Sequence, residues 1–365
     1  IGSELSCDPS FRSRLIENVL EPCSTRREVH ARIERCRVFV GTVATFSSKT
    51  DMFRLKTFDV AIVDEATQIL EPQLLGLLCA RNVVGNNAIG KFILIGDHKQ
   101  LPAVVLQSES QSEVCEECLQ SIGLYNLKDS LFERLYRTVS ANHSSPTTQR
   151  FYDMLCRQGR MNVEVARFPN HAFYGGLLEA VGLPHQQGEL VLAPGLESDE
   201  FADVLVSRVA FLPSVPETPS QSAKINHSEA QLTARLAAAV YRQYEASGSG
   251  FHSALTLGVI TPYRSQIALI KSEIAALGIP VLNDILVDTV ERFQGSERDV
   301  IIYSFCVNRT YQLKFLANLT EERGVWIDRK LNVALTRARK QLFMTGVPHL
   351  LRQNPIYADL LDTVL

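Results

Sequence analysis

Two short polar clusters, each directly after an apolar run, carry the residues best suited to chemistry in this sequence. The run 59–63 leads into Asp64-Glu65-Ala66-Thr67-Gln68, and the run 92–95 leads through Gly96 into Asp97-His98-Lys99-Gln100. Ligands of open parallel sheets bind beyond the carboxyl ends of strands, where both clusters are predicted to lie. One carboxylate there can hold Mg²⁺ while its neighbour positions or deprotonates a water. An Asp-Glu pair can also simply cap a helix, but two such clusters, each ending in Gln, favour the chemical interpretation.

The elements that must position these clusters alternate between apolar runs and amphipathic segments. The alternation predicts an α/β fold with doubly wound parallel sheets. The predicted strands are 38–43, 59–63, 92–95, 206–212, 257–260, 300–305 and 342–345, and the clearest predicted helices are 11–20, 229–244 and 265–277. The stretch 136–148, rich in Ser, Thr, Asn and Pro, predicts a linker between two α/β units.

Composition limits the class of protein. The 365 residues exceed one ordinary core, and 45% hydrophobic with 21% charged residues is typical of a soluble globular chain. The formal charge of −3 argues against a generally basic nucleic-acid coat but allows a local basic groove. The sequence has no apolar run of about eighteen residues, so no membrane span is expected. The opening IGSELSCDPS does not resemble a signal peptide.

The eight cysteines are dispersed, which suggests reduced thiols and a cytoplasmic location, or a nuclear one in a eukaryote. Cys115 and Cys118 form a single Cys-x-x-Cys with no second pair or histidine at metal spacing. We therefore expect no zinc site or metal cluster.

One stretch imitates a phosphate-binding loop. GNNAIGK at 85–91 has two glycines and a lysine at the required spacing, but Phe92 stands where a Ser or Thr should hold magnesium. The loop should also open a helix, whereas an apolar run follows. We predict a surface loop entering a strand, and no other such pattern precedes Asp64.

Further stretches resemble a known family when they are taken with the two clusters. They follow in the family's order: SLFERL at 130–135, QGRMN at 158–162, ARFPNHAFYGGLL at 166–178, VITPYRSQ at 259–266, TVERFQGSERDVIIYS at 289–304 and LNVALTRARKQLFMTG at 331–346. With DEATQ at 64–68 and GDHKQLPAVV at 96–105, they resemble motifs II to VI of the superfamily 1 helicases. The branch is that of the nonsense-mediated-decay helicase and the replication helicase–nuclease.

The resemblance implies two RecA-like domains, the first N-terminally incomplete, that use ATP and Mg²⁺. By the same resemblance, Asp64 would hold Mg²⁺, Glu65 would activate the attacking water and Gln100 would sense the γ-phosphate. The remaining nucleotide residues would be the arginine fingers Arg160 and Arg337, with Gly295 and Glu297 at the phosphates and ribose. Guanidinium groups and Mg²⁺ suit phosphoryl transfer, which needs charge neutralisation more than covalent chemistry. Arg339 is expected to be a packing or surface residue, because residues two positions apart on a helix, such as Arg337 and Arg339, point to different faces.

For nucleic acid, the resemblance indicates loop residues at strand ends: Thr42, Thr261, Pro262, Tyr263 and Thr289. Hydroxyl and backbone N–H groups there can bind phosphates without reading sequence, although any one threonine could equally be a cap or turn residue. The sequence shows no aromatic-rich basic patch, so strong sequence specificity is not expected. The expected partner is single-stranded DNA, with RNA possible, bound by a monomer.

The predicted partition is a partial first motor domain at 1–137, a linker at 138–149 and a second motor domain at 150–365. The predicted function is the C-terminal part of an ATP-dependent helicase or translocase, inactive without a phosphate-binding loop from upstream sequence. The alternative is a nucleotide-independent nucleic-acid-binding or scaffold protein. Retention of Asp64, Glu65, Gln100, Arg160 and Arg337 together favours the helicase.

Overall fold

The structure is a computed structural model that describes residues 1–141, 151–217, 223–322 and 324–365. The chain divides into two compact units. Unit 1 holds Ile1–His98 and Pro102–Asp153, and unit 2 holds Lys99–Leu101 and Met154–Leu365. Of the predicted linker, residues 138–141 end a helix, and residues 142–149 lie outside the described part of the chain. The partition into two motor domains stays a prediction.

The helices and strands alternate along both units. The strands are β1 (Phe58–Val63), β2 (Ile89–Leu94), β3 (Arg157–Gln158), β4 (Glu179–Ala180), β5 (Val209–Pro213), β6 (Leu257–Ile260), β7 (Leu286–Asp288), β8 (Arg298–Ser304), β9 (Leu319–Glu322), β10 (Val325–Asp328) and β11 (Ala338–Gly346). The helices of unit 1 are α1 (Ile16–Leu20), α2 (Arg26–Arg35), α3 (Val43–Ser48), α4 (Met52–Leu55), α5 (Glu71–Leu78), α6 (Glu109–Ser112), α7 (Glu117–Gln120) and α8 (Leu131–Ala141). Those of unit 2 are α9 (Val163–Tyr174), α10 (Pro184–Gln187), α11 (Ala202–Leu205), α12 (His227–Ala246), α13 (Arg264–Ala276), α14 (Val290–Phe293), α15 (Leu313–Leu316), α16 (Arg329–Leu335), α17 (Pro348–Leu351) and α18 (Pro355–Val364).

Unit 2 is built on a five-stranded parallel sheet with the order β5-β11-β8-β6-β7. Every residue of β6 and the last five residues of β8 are buried. Parallel strands covered on both faces are continuously apolar, which is why these runs were recognisable in the sequence. Two hydrophobic clusters form the core; α9, α16 and α18 contribute to one, and α12 and α13 to the other. The α/β class with parallel sheets is thereby confirmed.

Unit 1 contains a smaller parallel sheet in which β1 pairs with β2 from Phe58↔Ile89 to Val63↔Leu94. A cluster that includes Phe53, Leu74 and Leu77 packs beside it. On the other face, Val60, Ile62 and Ile93 are 43%, 65% and 42% exposed. Ile62 and Ile93 are directly paired across the two strands, so this exposed apolar face is continuous.

The predicted strand 38–43 was wrong. Residues 38–42 belong to no strand, Val38 and Val40 are 81% and 75% exposed, and Val43 begins α3. An apolar run makes a strand only when a neighbour supplies a hydrogen-bonded ladder, and the ladder described for β1 is the one with β2. The predicted strand 206–212 also begins late, at Val209, because Val206 caps the end of α11 and the Ser207 N–H donates to the Val204 carbonyl in the following turn.

The phosphate-loop imitation at 85–91 enters a strand, as predicted. Ile89, Gly90 and Lys91 belong to β2, and Lys91 pairs with Val60 of β1. A lysine inside a strand ladder does not stand at a helix N-terminus, where a phosphate-binding loop needs it.

Candidate functional site

The acidic cluster of unit 1 lies at the carboxyl end of β1. Asp64 accepts a hydrogen bond from the Glu65 N–H at 3.0 Å, and Glu65 accepts one from Gln68 Nε2 at 2.7 Å. The backbone of Glu65 has a φ of +50°, a left-handed conformation that residues other than glycine rarely adopt. Both carboxylates are exposed at this edge. Strained backbone of this kind recurs at functional sites.

The second cluster begins against the first one. A Cβ on Gly96 would lie 3.0 Å from the Thr67 N atom, so a larger residue would push these two segments apart by a few tenths of an ångström. The His98 ring then stacks on Tyr136 of α8, with 4.3 Å between ring centroids. The DEATQ and GDH segments are therefore neighbours within unit 1.

Lys99, Gln100 and Leu101 belong to unit 2, although the residues on both sides belong to unit 1. Asn332 Nδ2 donates to the Lys99 carbonyl at 2.8 Å, and Gln294 Nε2 donates to the Leu101 carbonyl at 3.3 Å. Lys99 Nζ lies 3.2 Å from the Glu322 carboxylate. Leu101 is 5% exposed and joins the core of unit 2. This tripeptide is thus held at both of its backbone ends and by both flanking side chains.

The central residue of that tripeptide meets the predicted finger Arg337. Arg337 Nη2 donates to Gln100 Oε1 at 3.1 Å. Arg337 is 2% exposed, and its Nε donates to the Val333 carbonyl of α16 at 3.1 Å. The structure therefore brings together two predicted site residues that lie 237 positions apart in the chain.

Helix α16, which precedes Arg337, has a strong N-terminal cap. The buried Asp328 accepts from the N–H groups of Lys330 and Leu331 at 3.0 and 3.2 Å and from the Tyr357 hydroxyl at 2.7 Å. Burial raises the pKa of the Asp328 carboxyl, while these hydrogen bonds oppose the rise. The cap fixes where α16 begins and so sets the position of Asn332 and Arg337.

Arg160 and Glu297, also predicted site residues, form an ion pair with 2.8 Å between Arg160 Nε and Glu297 Oε2. Arg160 Nη1 further donates to the Thr336 carbonyl at 3.4 Å, next to Arg337. Gly295 has a φ of +76°, which makes the turn between α14 and β8. Asp64 and Glu65 belong to unit 1, whereas five predicted nucleotide residues belong to unit 2: Gln100, Arg160, Gly295, Glu297 and Arg337.

Arg339 was missed by sequence reasoning. Helix α16 ends at Leu335 and β11 begins at Ala338, so the helical spacing assumed for Arg337 and Arg339 does not apply. Arg339 Nε lies 3.4 Å from Glu297 Oε1, and its Nη1 lies 3.1 Å from Asp299 Oδ1. A charged pair in the QGSERD stretch was the signal that could have indicated a counter-ion.

The predicted nucleic-acid residues have different surroundings. Thr42 caps α3 by accepting from the Thr45 N–H at 3.2 Å, which is the structural role given above as the alternative to binding a phosphate. Thr261 is fully buried, and its hydroxyl has no hydrogen-bond partner among the residues that the structure describes. Pro262, Tyr263 and Thr289 are partly exposed at the carboxyl ends of β6 and β7, and the Tyr263 hydroxyl accepts from Gln312 Nε2 at 3.2 Å. This edge of the sheet is where a ligand of a parallel sheet is expected.

Glu229 of α12 is a second residue that the sequence analysis did not single out. It is completely buried and accepts from Ser304 Oγ at 3.1 Å and from the Cys306 N–H at 2.9 Å. Burial raises the pKa of its carboxyl to about 7, because the lost hydration outweighs the hydrogen bonds that favour the charged form. It sits beneath the carboxyl end of β8, where Cys306 has a φ of +49°.

The donor set at the end of β1 fits a magnesium ion. Asp64 and Glu65 offer exposed carboxylate oxygens, the ligand type that Mg²⁺ prefers, and Mg²⁺ commonly takes only one or two protein carboxylates. Within the described ranges, no group of three His, Cys, Asp or Glu side chains is arranged to hold a metal. Nor does any helix in those ranges have the length and apolar character needed to cross a membrane.

Comparisons with known proteins agree with the motif order. Two family models, each described as an AAA domain, match residues 15–108 and 127–349. The DNA replication ATP-dependent helicase/nuclease DNA2 of Mus musculus is 30% identical over 331 residues, which are 85% of this chain and 27% of that protein. An uncharacterized ATP-dependent helicase of Methanocaldococcus jannaschii is 28% identical over 353 residues, 95% of this chain and 44% of that protein. The DNA polymerase alpha-associated DNA helicase A of Saccharomyces cerevisiae is 27% identical over 335 residues, 86% of this chain and 43% of that protein.

The second family model alone spans more than half of the chain, so the chain belongs to the AAA domain family. Within that family it is a superfamily 1 helicase of the branch that includes the replication helicase–nuclease, which confirms the resemblance seen in the motifs. The chain spans less than half the length of each of these three relatives.

Proposed function

We propose that this chain is the motor part of an ATP-dependent helicase that moves on single-stranded nucleic acid, DNA rather than RNA. The observation that carries the proposal is the gathering of Gln100, Arg160, Glu297 and Arg337 in unit 2 through direct contacts. A buried arginine held against an amide, beside a second arginine, suits recognition of a terminal phosphate. The names of the relatives, which are helicases of DNA replication or of a DNA polymerase, support DNA.

In this proposal each residue has a chemical task. When bound, Mg²⁺ would neutralise phosphate charge from its place on Asp64. Glu65 orients the attacking water and accepts its proton, Gln100 reads the γ-phosphate, and Arg160 with Arg337 stabilises the charge of the transition state. Gly295 and Glu297 face the phosphates and ribose. Pro262, Tyr263 and Thr289, with the backbone at Thr42 and Thr261, contact the nucleic-acid strand without reading its sequence.

We further propose that a phosphate-binding loop outside these 365 residues completes the ATP site. The exposed apolar face formed by Val60, Ile62 and Ile93 supports this, since a sheet face of that kind is normally covered. The 365-residue chain alone should therefore hydrolyse ATP poorly. We place the complete protein in the cytoplasm, or in the nucleus if it is eukaryotic, and expect it to act as a monomer.

The test is a Glu65→Gln change in the protein extended upstream to include such a loop. Turnover of ATP stimulated by single-stranded DNA should fall by a factor of at least about 100, because general base catalysis contributes that much. Nucleotide binding should persist, since Asp64 is unchanged. Glu21→Gln, at an exposed acid of unit 1, is the matched control and should leave turnover unchanged.

Two results would contradict the proposal. Full turnover by Glu65→Gln would remove Glu65 from the mechanism. Failure of the extended protein to hydrolyse ATP, together with nucleotide-independent binding of single strands, would favour the alternative of a binding or scaffold protein on a motor fold.

A further inference from the structure

A chain of ion pairs runs from Arg160 away from the phosphate-facing residues of unit 2. Glu297 is shared between Arg160 and Arg339, with N–O distances of 2.8 and 3.4 Å. Arg339 is in turn shared with Asp299 at 3.1 Å, and Asp299 also pairs with Lys340 at 2.9 Å. The backbone of the same segment is tied to Arg160's neighbour, because the Asn162 N–H donates to the Arg339 carbonyl at 2.8 Å.

The charges in this chain do not balance. Among the described residues that these pairs connect, three are cations, Arg160, Arg339 and Lys340, whereas two are carboxylates, Glu297 and Asp299. If Arg160 leaves, two cations and two carboxylates remain, and Glu297 still has Arg339 as its partner. Withdrawal of Arg160 therefore leaves neither carboxylate without a cation, provided that Arg339 stays in place.

The two ends of this series of ion pairs differ in how exposed their side chains are. Asp299 is 15% exposed at its side chain and also accepts from the Tyr244 hydroxyl at 3.4 Å, whereas the Arg160 and Glu297 side chains are 34% and 46% exposed. Burial acts to raise the pKa of the Glu297 carboxyl. The hydrogen bond and charge of Arg160, followed by the charge of Arg339, outweigh burial and hold this pKa below its ordinary value. Glu297 is thus an anion held by two arginines, one anchored to a partly buried aspartate and one not.

We propose that Arg339 is a positioning residue that retains the Glu297 carboxylate, so that Arg160 can be transferred to the phosphates of a nucleoside triphosphate. The proposal rests on the phosphate-binding role given to Arg160 under the proposed function. Without Arg339, Glu297 would have Arg160 as its remaining cation and would compete with the ligand for it.

The inference makes a specific prediction about a pair of changes. Arg339→Ala should weaken triphosphate binding about two- to fivefold, the size expected for a partly exposed ion pair. Adding Glu297→Gln should restore most of that loss, because the neutral amide no longer competes for Arg160 but can still hydrogen-bond a ribose. Arg339→Lys should retain wild-type binding, and Arg160→Ala should abolish it in every background. Arg352→Ala, which breaks an exposed pair with Asp362, is the control and should change nothing.

Two measurements separate this inference from the proposed function. The first is calorimetric titration of the 365-residue chain and its variants with inorganic tripolyphosphate, which requires neither hydrolysis nor the upstream loop. The second is ATP turnover by the extended protein, in which Arg339→Ala should raise KM and leave kcat nearly unchanged. Thermal unfolding of each variant shows whether folding has been altered.

The order of affinities decides the inference. Rescue of Arg339→Ala by Glu297→Gln in the tripolyphosphate titration supports it even if the extended protein proves inactive as an ATPase. Equal binding by wild type and Arg339→Ala, equal losses in the single and double variants, or no binding by wild type at millimolar tripolyphosphate would each overturn it. A purely structural role for Arg339 would lower the unfolding temperature without rescue by Glu297→Gln.

Discussion

At the scale of single residues, the shifted pKa of Glu229 predicts a response of stability to pH between about 4.5 and 7. Its carboxyl pKa is about 7 in the folded protein against an ordinary value of 4.5. Between these two values the folded state keeps a proton that the unfolded state loses. The contribution of Glu229 to the free energy of unfolding is therefore fully present below pH 4.5 and is lost as pH rises to about 7.

Glu229→Gln should remove that dependence. The amide keeps an oxygen to accept from Ser304 and Cys306 but does not titrate. Urea unfolding at a series of pH values should give a wild-type free energy that falls relative to the variant, by up to about 1.4 kcal/mol per pH unit within the window. Because all other titrating groups are common to both proteins, parallel curves would show that Glu229 is ionised in the folded state.

Single residues also show what a local pattern can predict. The position of Asp64 and Glu65 directly after a strand could be predicted because an apolar run precedes them in the sequence, whereas their roles stay predictions. For Arg339, the helical spacing used to predict a packing or surface residue was wrong, because α16 ends at Leu335. Glu229 could not be found, since its burial depends on α12 packing over β8 and nothing in the neighbouring sequence records that contact.

At the scale of elements, α16 depends on one buried cap. Asp328→Ala would leave the Asn318, Lys330 and Leu331 N–H groups and the Tyr357 hydroxyl without their acceptor. Each unsatisfied buried group is costly, so we expect a loss of roughly 2–4 kcal/mol in the free energy of unfolding. Chemical denaturation measures it.

Tyr357→Phe is the matched comparison for that change, because it removes only the hydroxyl bond at 2.7 Å. We expect a smaller loss of about 1 kcal/mol. An Asp328→Ala loss no larger than that of Tyr357→Phe would mean that the backbone N–H groups find water instead.

The elements of unit 2 were better predicted than those of unit 1. The β6, β8 and β11 runs are apolar throughout because helices cover both faces of the sheet, so composition alone marks them. The run 38–43 is also largely apolar but pairs with none of the strands that the structure describes. Sequence periodicity reports what a segment could bury, and the neighbouring strands decide whether it does.

At the scale of the whole molecule, the two units differ in how completely their sheets are covered. In unit 2, β8 and β11 each have a strand on both sides and are almost wholly buried. In unit 1, the ladder described for β1 is on one side, and Ile62 is 65% exposed. Local opening is easier where few apolar contacts are lost.

Hydrogen exchange of the 365-residue chain should therefore be faster in β1 and β2 than in β8 and β11. Mass spectrometry of peptic peptides resolves the four strands. Addition of upstream sequence that covers the exposed face should slow exchange in β1 and β2 and leave β8 and β11 unchanged. Equal protection of all four strands in the 365-residue chain would contradict this account.

The assignment of Lys99, Gln100 and Leu101 to unit 2 has a consequence for dissecting the protein. A fragment that starts at Met154 would look like a whole domain, yet it would lack a piece of its own interior. Asn332 and Gln294 would lose the carbonyls to which they donate, and Arg337 would lose the amide of Gln100. The space that the Leu101 side chain fills in the hydrophobic core would be empty. A short synthetic peptide containing Lys-Gln-Leu is the natural complement of such a fragment, and its binding would restore in trans what the intact chain supplies by covalent connection.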